Sequence, residues 1–438
     1  MVASVGSLGV LLANVSSRFL LSVLISFSIL AGEAQAEQPI YGVVPQDGAV
    51  PPVEDLELMP EAGISSMRLL AHWASIESVP GVYDWTALDA IVRETTKRGI
   101  QPLLFFYSTP EWATQIDGRR CRGDACTLYP PKSPETRAAF AAFTTAAVER
   151  YGPGGDFWEV PEVPALRLFG DPPCLPVICT PEPEPEPEPD RPPPEEEEEP
   201  PPPPPPQTEP PPPPPSETPP PNEPPCGCLE AHPVRIWQIW NEQNSPKYFA
   251  PKVNPALYAK IVQDAAGAIT AVDPEAEVML GGMWGPAETD AVLPLAPYFK
   301  RFYAVKGVEK SFDSIALHPY ASSTSGAVAQ VVAARAAVKR AGDRKVGIWI
   351  TELGWAADGP KKNPYVKGQK GQARLLGSTL KAFERQRRKF RIEGVYWYSW
   401  RDLPGGDLIC DWCGHAGLRG LDGSAKPAWN AFVKVAAD

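Results

Sequence analysis

Two glutamates follow apolar, strand-like runs and could together cleave an acetal. Glu242 comes directly after residues 237–241, and Glu352 comes directly after residues 348–351. Cleavage of an acetal needs one carboxylic acid to protonate the leaving oxygen and a second carboxylate to stabilise or capture the oxocarbenium-like centre. Either glutamate alone could equally cap a strand or pair with an arginine. The two together predict a catalytic pair.

Eight strand-like segments would have to position these two acids. Short apolar, β-branched or aromatic runs alternate with longer stretches of helical spacing, which is typical of repeated βα units. Eight parallel strands close an α/β TIM (β/α)8 barrel, whose catalytic groups lie at the carboxyl ends of the strands. Glu242 and Glu352 would then end strands four and seven. Strands are predicted at residues 40–44, 66–73, 101–108, 235–242, 278–284, 313–320, 347–352 and 394–400, and helices at 85–98, 135–151, 255–272, 326–341 and 368–388.

Residues 171–225 consist almost entirely of proline and acidic residues. They hold fourteen acids and one arginine, a charge of −13, so the rest of the −12 chain carries only about +1 and shows no nucleic-acid footprint. Such a segment cannot bury a core and is predicted to be extended or disordered. It falls in the loop before strand four, at the face of the barrel opposite the active site. We predict an insertion at 171–228 between two parts of one barrel, 37–170 and 229–438, and treat it as a candidate for contact with the cell wall.

The amino-terminal residues predict a secretory signal peptide over residues 1–36. Arg18 precedes an apolar run at 19–31, and Ala34-Gln35-Ala36 supplies a small-residue cleavage pattern. The run is shorter than the about 20 apolar residues that span a membrane. We therefore expect a mature chain without a transmembrane span, secreted or associated with the cell wall. A retained amino-terminal anchor is the alternative.

Eight cysteines fall in four close clusters, which suits export to an oxidising compartment. Disulfides are the natural interpretation. Two clusters flank the insertion and could pair with each other to staple its base, or each cluster could pair locally. Zinc ligation is disfavoured because the chain has four histidines and none at finger-like spacing, so no metal and no cofactor is predicted. The clusters are Cys121 with Cys126, Cys174 with Cys179, Cys226 with Cys228, and Cys410 with Cys413.

The motifs around both glutamates resemble glycoside hydrolase clan A, most closely family 39 and related bacterial family-5-like proteins. The resemblance covers nearly all of residues 41–433 outside the insertion. It is carried by Trp240-Asn241-Glu242 and Thr351-Glu352-Leu353-Gly354-Trp355, with further matches at 66–73, 80–85, 109–113, 318–320 and 397–400. In that clan, strand four carries the acid/base and strand seven carries the nucleophile.

The resemblance implies a role for each matching residue. Glu242 would be the acid/base, Glu352 the nucleophile, and Asn241 the group that holds the sugar 2-hydroxyl. Gln243 departs from the proline that usually follows the acid/base, which removes a constraint on the backbone. The implied activity is hydrolysis of O-glycosidic bonds in oligo- or polysaccharides by double displacement, with retention of configuration.

Other residues are candidates for contact with the carbohydrate. Arg68 and Tyr320 are expected to favour the charged form of Glu352, and indole rings suit the apolar C–H face of a pyranose. Each also has a structural alternative, since buried ion pairs, neutral core histidines and core-filling tryptophans are common. Trp400 is the preferred sugar platform, with Trp397 second. The candidates are Arg68, His72, Trp112, His318, Tyr320, Trp397 and Trp400.

Two other functions fit the same predicted pocket. A transglycosidase would transfer the sugar to an acceptor other than water. A non-catalytic carbohydrate-binding or cell-wall-associated protein would use the barrel only for recognition, with the Pro/Glu-rich segment as a spacer or interaction surface. Carbohydrate is the predicted partner in every case.

Overall fold

Eight parallel strands close into a barrel in the computed structural model, as the sequence predicts. The structure describes residues 40–45, 50–116, 119–121, 123–158, 232–285, 292–404 and 410–436. Each strand pairs with the next along the chain and the first pairs with the last, so the barrel has no free edge. Each predicted strand boundary lies within two residues of the observed one. The strands are β1 Ile40–Val44, β2 Ser66–His72, β3 Gln101–Tyr107, β4 Ile236–Asn241, β5 Glu277–Trp284, β6 Ser314–His318, β7 Gly347–Leu353 and β8 Ile392–Tyr398.

Helices connect the strands, and all five predicted ones are present. Local sequence explains, for example, the start of the helix Pro255–Val272. Asn254 Oδ1 accepts a hydrogen bond from the Leu257 N–H (3.0 Å), and Asn254 is followed by proline. Four further helices in the described residues were not predicted, because short helices give a weak periodic signal. The helices are α1 Val53–Glu61, α2 Trp73–Ile76, α3 Thr86–Thr96, α4 Pro134–Tyr151, α5 Pro255–Val272, α6 Leu295–Phe302, α7 Thr324–Arg340, α8 Gly368–Phe390 and α9 Pro427–Ala436.

Side chains along each strand alternate between two cores. Leu103, Met279, Trp349 and Tyr396 fill the barrel interior. Their neighbours on the same strands, such as Val395, pack outward against the helices. This alternation follows the two-residue period of the pleat. It therefore decides which side chain at the end of each strand can face the carboxyl-terminal mouth of the barrel.

The connection between α4 and β4 contains residues 159–231, which lie outside the described residues. Its described ends converge on one backbone carbonyl, because Trp158 Nε1 and the Val234 N–H both donate to the Tyr151 oxygen, at 3.0 and 2.8 Å. A helix-to-strand connection lies at the amino-terminal face of a barrel, opposite the face that holds active sites. The insertion is thus attached on the side of the molecule away from Glu242 and Glu352.

Two of the four cysteine clusters form local disulfides, Cys121 with Cys126 and Cys410 with Cys413. The other four cysteines and the predicted signal peptide lie outside the described residues. Among the helices that the structure describes, none combines the length and apolar character that crossing a bilayer requires.

A buried ion-pair cluster ties α1 to the segment after β8, close to the point where the barrel closes. Asp55 is completely buried, and its carboxylate lies 3.0 Å from Arg401 Nη2 and 3.5 Å from Arg419 Nε. We expect Asp55→Ala to lower the free energy of unfolding by about 3 kcal/mol, because two partly buried guanidinium groups lose their partner. Urea denaturation would measure this. Asp264→Ala, which breaks a more exposed pair with Arg137, is the matched control and should cost less than about 1 kcal/mol.

Candidate active site

The strand end that carries Glu242 has a strained backbone. Trp240 and Glu242 adopt positive φ angles of 71° and 41°, which side-chain-bearing residues rarely do and which costs on the order of 1–3 kcal/mol each. Two hydrogen bonds hold this conformation: the Glu242 N–H donates to the Gly282 carbonyl (2.9 Å), and Trp240 Nε1 donates to the Tyr248 carbonyl (2.8 Å). Strain of this kind concentrates at functional sites.

Gln243, which stands where the family that the motif resembles usually has proline, forms a bond that proline could not make. Its side-chain Nε2 donates to the Gly281 carbonyl of β5 at 3.0 Å. The residue is completely buried. A side-chain hydrogen bond to β5 therefore ties down the residue after Glu242 in place of a proline ring.

Arg68 on β2 joins β4 to β7 beneath the two glutamates. Its side chain is 1% exposed and its three nitrogens reach three acceptors. Nη1 donates to Glu352 Oε1 (2.7 Å), Nη2 to Asn241 Oδ1 (2.9 Å) and Nε to Gln238 Oε1 (2.7 Å). The guanidinium also lies over the Phe105 ring, 3.8 Å from its centroid. Since Arg68 occupies Asn241 Oδ1, the amide nitrogen of Asn241 is left for the cavity that this residue lines.

A second line of hydrogen bonds runs from Gln238 to Glu242. Gln238 Oε1 accepts from Arg68, so its Nε2 is the atom that reaches Thr351 Oγ1 (3.4 Å). The Thr351 hydroxyl can then donate to His318 Nε2 (3.1 Å), which leaves the proton of His318 on Nδ1, 2.8 Å from Glu242 Oε1. Burial, together with the Arg68 charge, lowers the pKa of His318 well below its ordinary range. His318 is therefore a neutral donor to Glu242.

Glu352 lies in a buried site with two donors. Arg68 Nη1 and the Tyr320 hydroxyl donate to its two oxygens at 2.7 and 3.0 Å. Burial raises the pKa of the Glu352 carboxyl above its usual range, while the Arg68 charge and both hydrogen bonds act in the opposite direction. The predicted effect of Arg68 and Tyr320 on the charged form is thus present, and burial outweighs it.

The carboxylates of Glu242 and Glu352 lie across one small space. An oxygen of each and His318 Nδ1 are all within 4.8 Å of one another. His318 Nδ1 lies 3.5 Å from Glu352 Oε2. These three side chains could in principle ligate a metal ion, but a metal would have to displace the His318 proton that Glu242 accepts.

The two acids open into a cavity of about 1040 Å³. One side of it is an aromatic wall in which Trp412 lies 5.3 Å from Tyr320 and 5.1 Å from Tyr365 between ring centroids. Trp284 extends the wall, 5.2 Å from Tyr320. The loops that carry Tyr365 and Trp412 are joined by Asn363 Nδ2, which donates to Asp411 Oδ1 at 2.7 Å. The aromatic wall consists of Trp284, Tyr320, Tyr365, Tyr398 and Trp412.

Most of the predicted site residues meet at this cavity. Arg68, His72, Asn241, Glu242, Tyr320 and Glu352 line it, and His318 lies behind the two acids, fully buried. His72 is half-buried at the rim, where its Nδ1 lies 2.7 Å from Ser75 Oγ and also accepts from the Ser75 N–H at the start of α2.

The three predicted tryptophan contacts are wrong, since none of these residues lines the cavity. Trp397 and Trp400 are 1% and 2% exposed; Trp397 packs outward beside Trp355, and Trp400 packs against Trp429. Trp397 follows Tyr396, which points into the barrel, so the pleat turns Trp397 toward the helices. Trp112 lies on a 3-10 helix after β3, packs on Trp73, and donates from its Nε1 to the Glu77 carbonyl.

The ring of β8 that faces the cavity is Tyr398, which the sequence interpretation missed. It lies two residues after the inward-facing Tyr396, so strand alternation was the available signal. Trp412 and Tyr365 were also missed, and they come from long loops with no periodic pattern. Gln238 and Thr351 were not singled out as site residues. Gln238 lies four residues before Glu242 and Thr351 lies directly before Glu352, so both lie under the acids.

Solved structures with this fold include glycoside hydrolases of families 39 and 5. The protein matches a family 39 glycoside hydrolase from Bacteroides cellulosilyticus WH2 with a TM-score of 0.56 and 17% identity, over 91% of this chain and 63% of that chain. A monomeric beta-xylosidase from Caulobacter crescentus CB15 matches with 0.53 and 17%, over 91% and 68%. A GH5_18 protein from Bifidobacterium longum subsp. longum, solved as a variant in complex with Manb1-4GlcNAc, matches with 0.54 and 10%, over 91% and 78%.

The fold is that of clan A glycoside hydrolases, as the strand-end motifs predict. No family model and no curated protein matches the sequence. The chain spans less than two thirds of the length of the family 39 protein and 59% of an exo-beta-1,4-mannosidase, Op5Man5, from Opitutaceae bacterium strain TAV5. Identities of this size establish a shared fold, and the activity has to be argued from the site.

The contact between Tyr320 and Glu352 predicts a change in titration. Tyr320→Phe removes a donor that favours the ionised carboxylate, so the pKa of Glu352 should rise further. A carboxyl group is ionised above its pKa. As the pH falls, Glu352 in the Tyr320→Phe variant would therefore lose its ionised form at a higher pH than in the wild type. Carbon-13 NMR titration of the glutamate carboxyls would measure the shift. A lower or unchanged pKa would contradict this assignment of the hydrogen bond.

Proposed function

We propose that the protein is a retaining glycosidase that hydrolyses O-glycosidic bonds in oligo- or polysaccharides. The observation that carries this proposal is the approach of Glu242 and Glu352: one carboxylate oxygen of each lies within 4.8 Å of the other across the floor of an aromatic-walled cavity. Retaining enzymes place their two carboxyl groups about 5–5.5 Å apart, whereas inverting enzymes leave about 6.5–9.5 Å for a water molecule. The close approach supports retention.

In the first step Glu352 attacks the anomeric carbon and the glycosidic C–O bond breaks. Glu242 donates its proton to the leaving oxygen, and a covalent glycosyl ester forms on Glu352. Arg68 and Tyr320 donate to the two oxygens of Glu352 and favour its ionised form, against the effect of burial. Since His318 occupies Oε1 of Glu242, the other oxygen would carry the transferred proton.

In the second step water replaces Glu352 at the anomeric carbon. Glu242, now a carboxylate, accepts a proton from the water molecule as the ester bond to Glu352 breaks. Two displacements at one carbon return the original configuration. The Asn241 amide nitrogen, left unused by Arg68, would hold the sugar 2-hydroxyl through both steps.

The aromatic wall supports a carbohydrate as the substrate. Ring faces accept the apolar C–H surface of a sugar, and the polar groups Arg68, Asn241 and the two glutamates lie at the base of the same cavity. A volume of about 1040 Å³ leaves room for more than one sugar ring. Among the described residues, nothing favours a barrel that only binds carbohydrate.

Hydrolysis of aryl glycosides tests the proposal. In a panel of xylosides, glucosides, mannosides and arabinosides, wild type should turn over at least one. Glu242→Ala should reduce kcat/KM by about 10²–10⁴-fold for a poor leaving group, because general acid catalysis is worth that much. Glu352→Ala should abolish turnover. Glu393→Ala, a half-buried glutamate at the opposite end of the barrel on β8, is the control and should remain active.

Azide rescue separates the roles of the two acids. Azide should restore turnover of an activated aryl glycoside in both variants. The glycosyl azide should keep the anomeric configuration of the substrate in Glu242→Ala and carry the inverted one in Glu352→Ala. Proton NMR of the products would read the configuration. Identical products from the two variants would contradict the assigned roles, and inactivity of wild type on the whole panel would count against a glycosidase.

We also propose that the protein is exported and that residues 1–36 are removed. The cluster disulfides Cys121–Cys126 and Cys410–Cys413 support an oxidising location. Amino-terminal sequencing of the protein from culture medium or cell envelope should begin at Glu37. An intact amino terminus in the membrane fraction would instead indicate a retained anchor. Contact of the insertion with the cell wall stays a prediction.

A further inference from the structure

The carboxyl-terminal ends of α7 and α8 carry a dense group of cations. Residues 339–345 and 381–391 contain ten lysines and arginines and two acids, a net charge of +8. Arg335 Nη2 donates to the Phe390 carbonyl, so the ends of the two helices are in contact. We call the ten cations the basic face: Lys339, Arg340, Arg344, Lys345, Lys381, Arg385, Arg387, Arg388, Lys389 and Arg391.

No salt bridge within the described residues offsets the charge of the basic face, although the Arg391 charge acts to lower the pKa of the nearby Glu393. Nine of its ten residues are exposed, with Arg387 half-buried. None of them forms an ion pair with an acidic residue that the structure describes. The two acids between them have other partners, since Asp343 accepts from the Tyr303 hydroxyl and Glu384 from the Tyr41 hydroxyl. One or two cations in a last turn complement a helix dipole, and ten exceed that need.

The acidic insertion leaves the barrel at the same face. The connections from α4 to β4, from α7 to β7 and from α8 to β8 all lie at the amino-terminal ends of the strands. Residues 171–225 carry a charge of −13. Fully extended, a segment of that length reaches about 180 Å, several times the about 50 Å width of a barrel of this size. Length therefore does not limit contact with the basic face.

We propose that the Pro/Glu-rich insertion binds the basic face of its own chain. Opposite charge gives the attraction, and the tether gives an effective concentration on the order of millimolar, which an external anionic polymer would have to exceed. The proposal rests on the charge and placement of these residues and does not depend on the glycosidase activity.

Zero-length carbodiimide crosslinking of the full chain, followed by mass spectrometry, tests this contact. Acids of residues 182–199 should join Lys339, Lys345, Lys381 and Lys389 about fivefold or more above other exposed lysines such as Lys252 and Lys300. About 1 M salt, where the Debye length falls to about 3 Å, should remove the preference. Crosslinks spread evenly over the exposed lysines would overturn the proposal.

Matched charge reversals locate the contact. Arg340→Glu, Arg385→Glu and Arg388→Glu together leave all four reporter lysines and should reduce their crosslinks about fivefold or more. The control reverses three cations elsewhere, Lys361→Glu, Lys362→Glu and Arg374→Glu, with the same change of charge and no expected loss. Equal crosslinking in the two triple variants would also overturn the proposal. Circular dichroism checks that both variants are folded.

A binding experiment separates the insertion from an external polyanion. The probe is labelled polyphosphate, added to the full wild-type chain and to a full chain in which the ten acids of residues 182–199 are changed to amides. If the insertion covers the basic face, the amide chain should bind the probe about tenfold more tightly. Equal affinity would mean that the basic face is open to external anionic polymers, and self-binding would be wrong.

Discussion

The guanidinium of Arg68 is the group on which the geometry of the site depends. It is buried, it comes from the second strand, and it fixes side chains on the fourth and seventh strands through three hydrogen bonds. A buried cation needs a full set of partners, because an unpaired charge in the interior costs several kcal/mol. Removing Glu352 would leave the Arg68 charge unpaired, and removing either amide oxygen would leave a buried N–H without an acceptor. The same requirement that stabilises Arg68 therefore holds Glu352, Asn241 and Gln238 in fixed orientations.

Arg68 also orients Glu242, through a chain of hydrogen bonds between uncharged side chains. Because Gln238 is fixed by Arg68, Thr351 and then His318 have only one consistent hydrogen-bond direction, which ends at Glu242. The ring of His318 fits there because residue 282 is glycine; a Cβ at that position would overlap it. A small residue on β5 is thus part of the support for an acid on β4. The result is a pair of carboxylates held by different kinds of donor, a cation and a phenol for one and a neutral imidazole for the other.

The strands and both acids could be predicted from the sequence. An apolar run that ends in polar residues can be recognised without knowing which of its side chains face the barrel interior. The aromatic residues that line the cavity could not be predicted from proximity to a strand end alone. Trp397 and Tyr398 are neighbours, yet the pleat sends one into the helix layer and the other into the cavity. Knowing that Tyr396 faces inward would have decided between them. Trp412 and Tyr365 had no such signal, since their positions depend on loop contacts and on the Asn363–Asp411 hydrogen bond.

The shared carbonyl of Tyr151 brings the two described ends of the α4–β4 connection together. The two points at which the connection joins the barrel therefore stay close together, whatever number of residues lies between them. The closure entropy of a longer loop grows only logarithmically with its length. Evolution can therefore lengthen, shorten or recode this part of the gene while the face of the barrel that holds Glu242 and Glu352 keeps its shape.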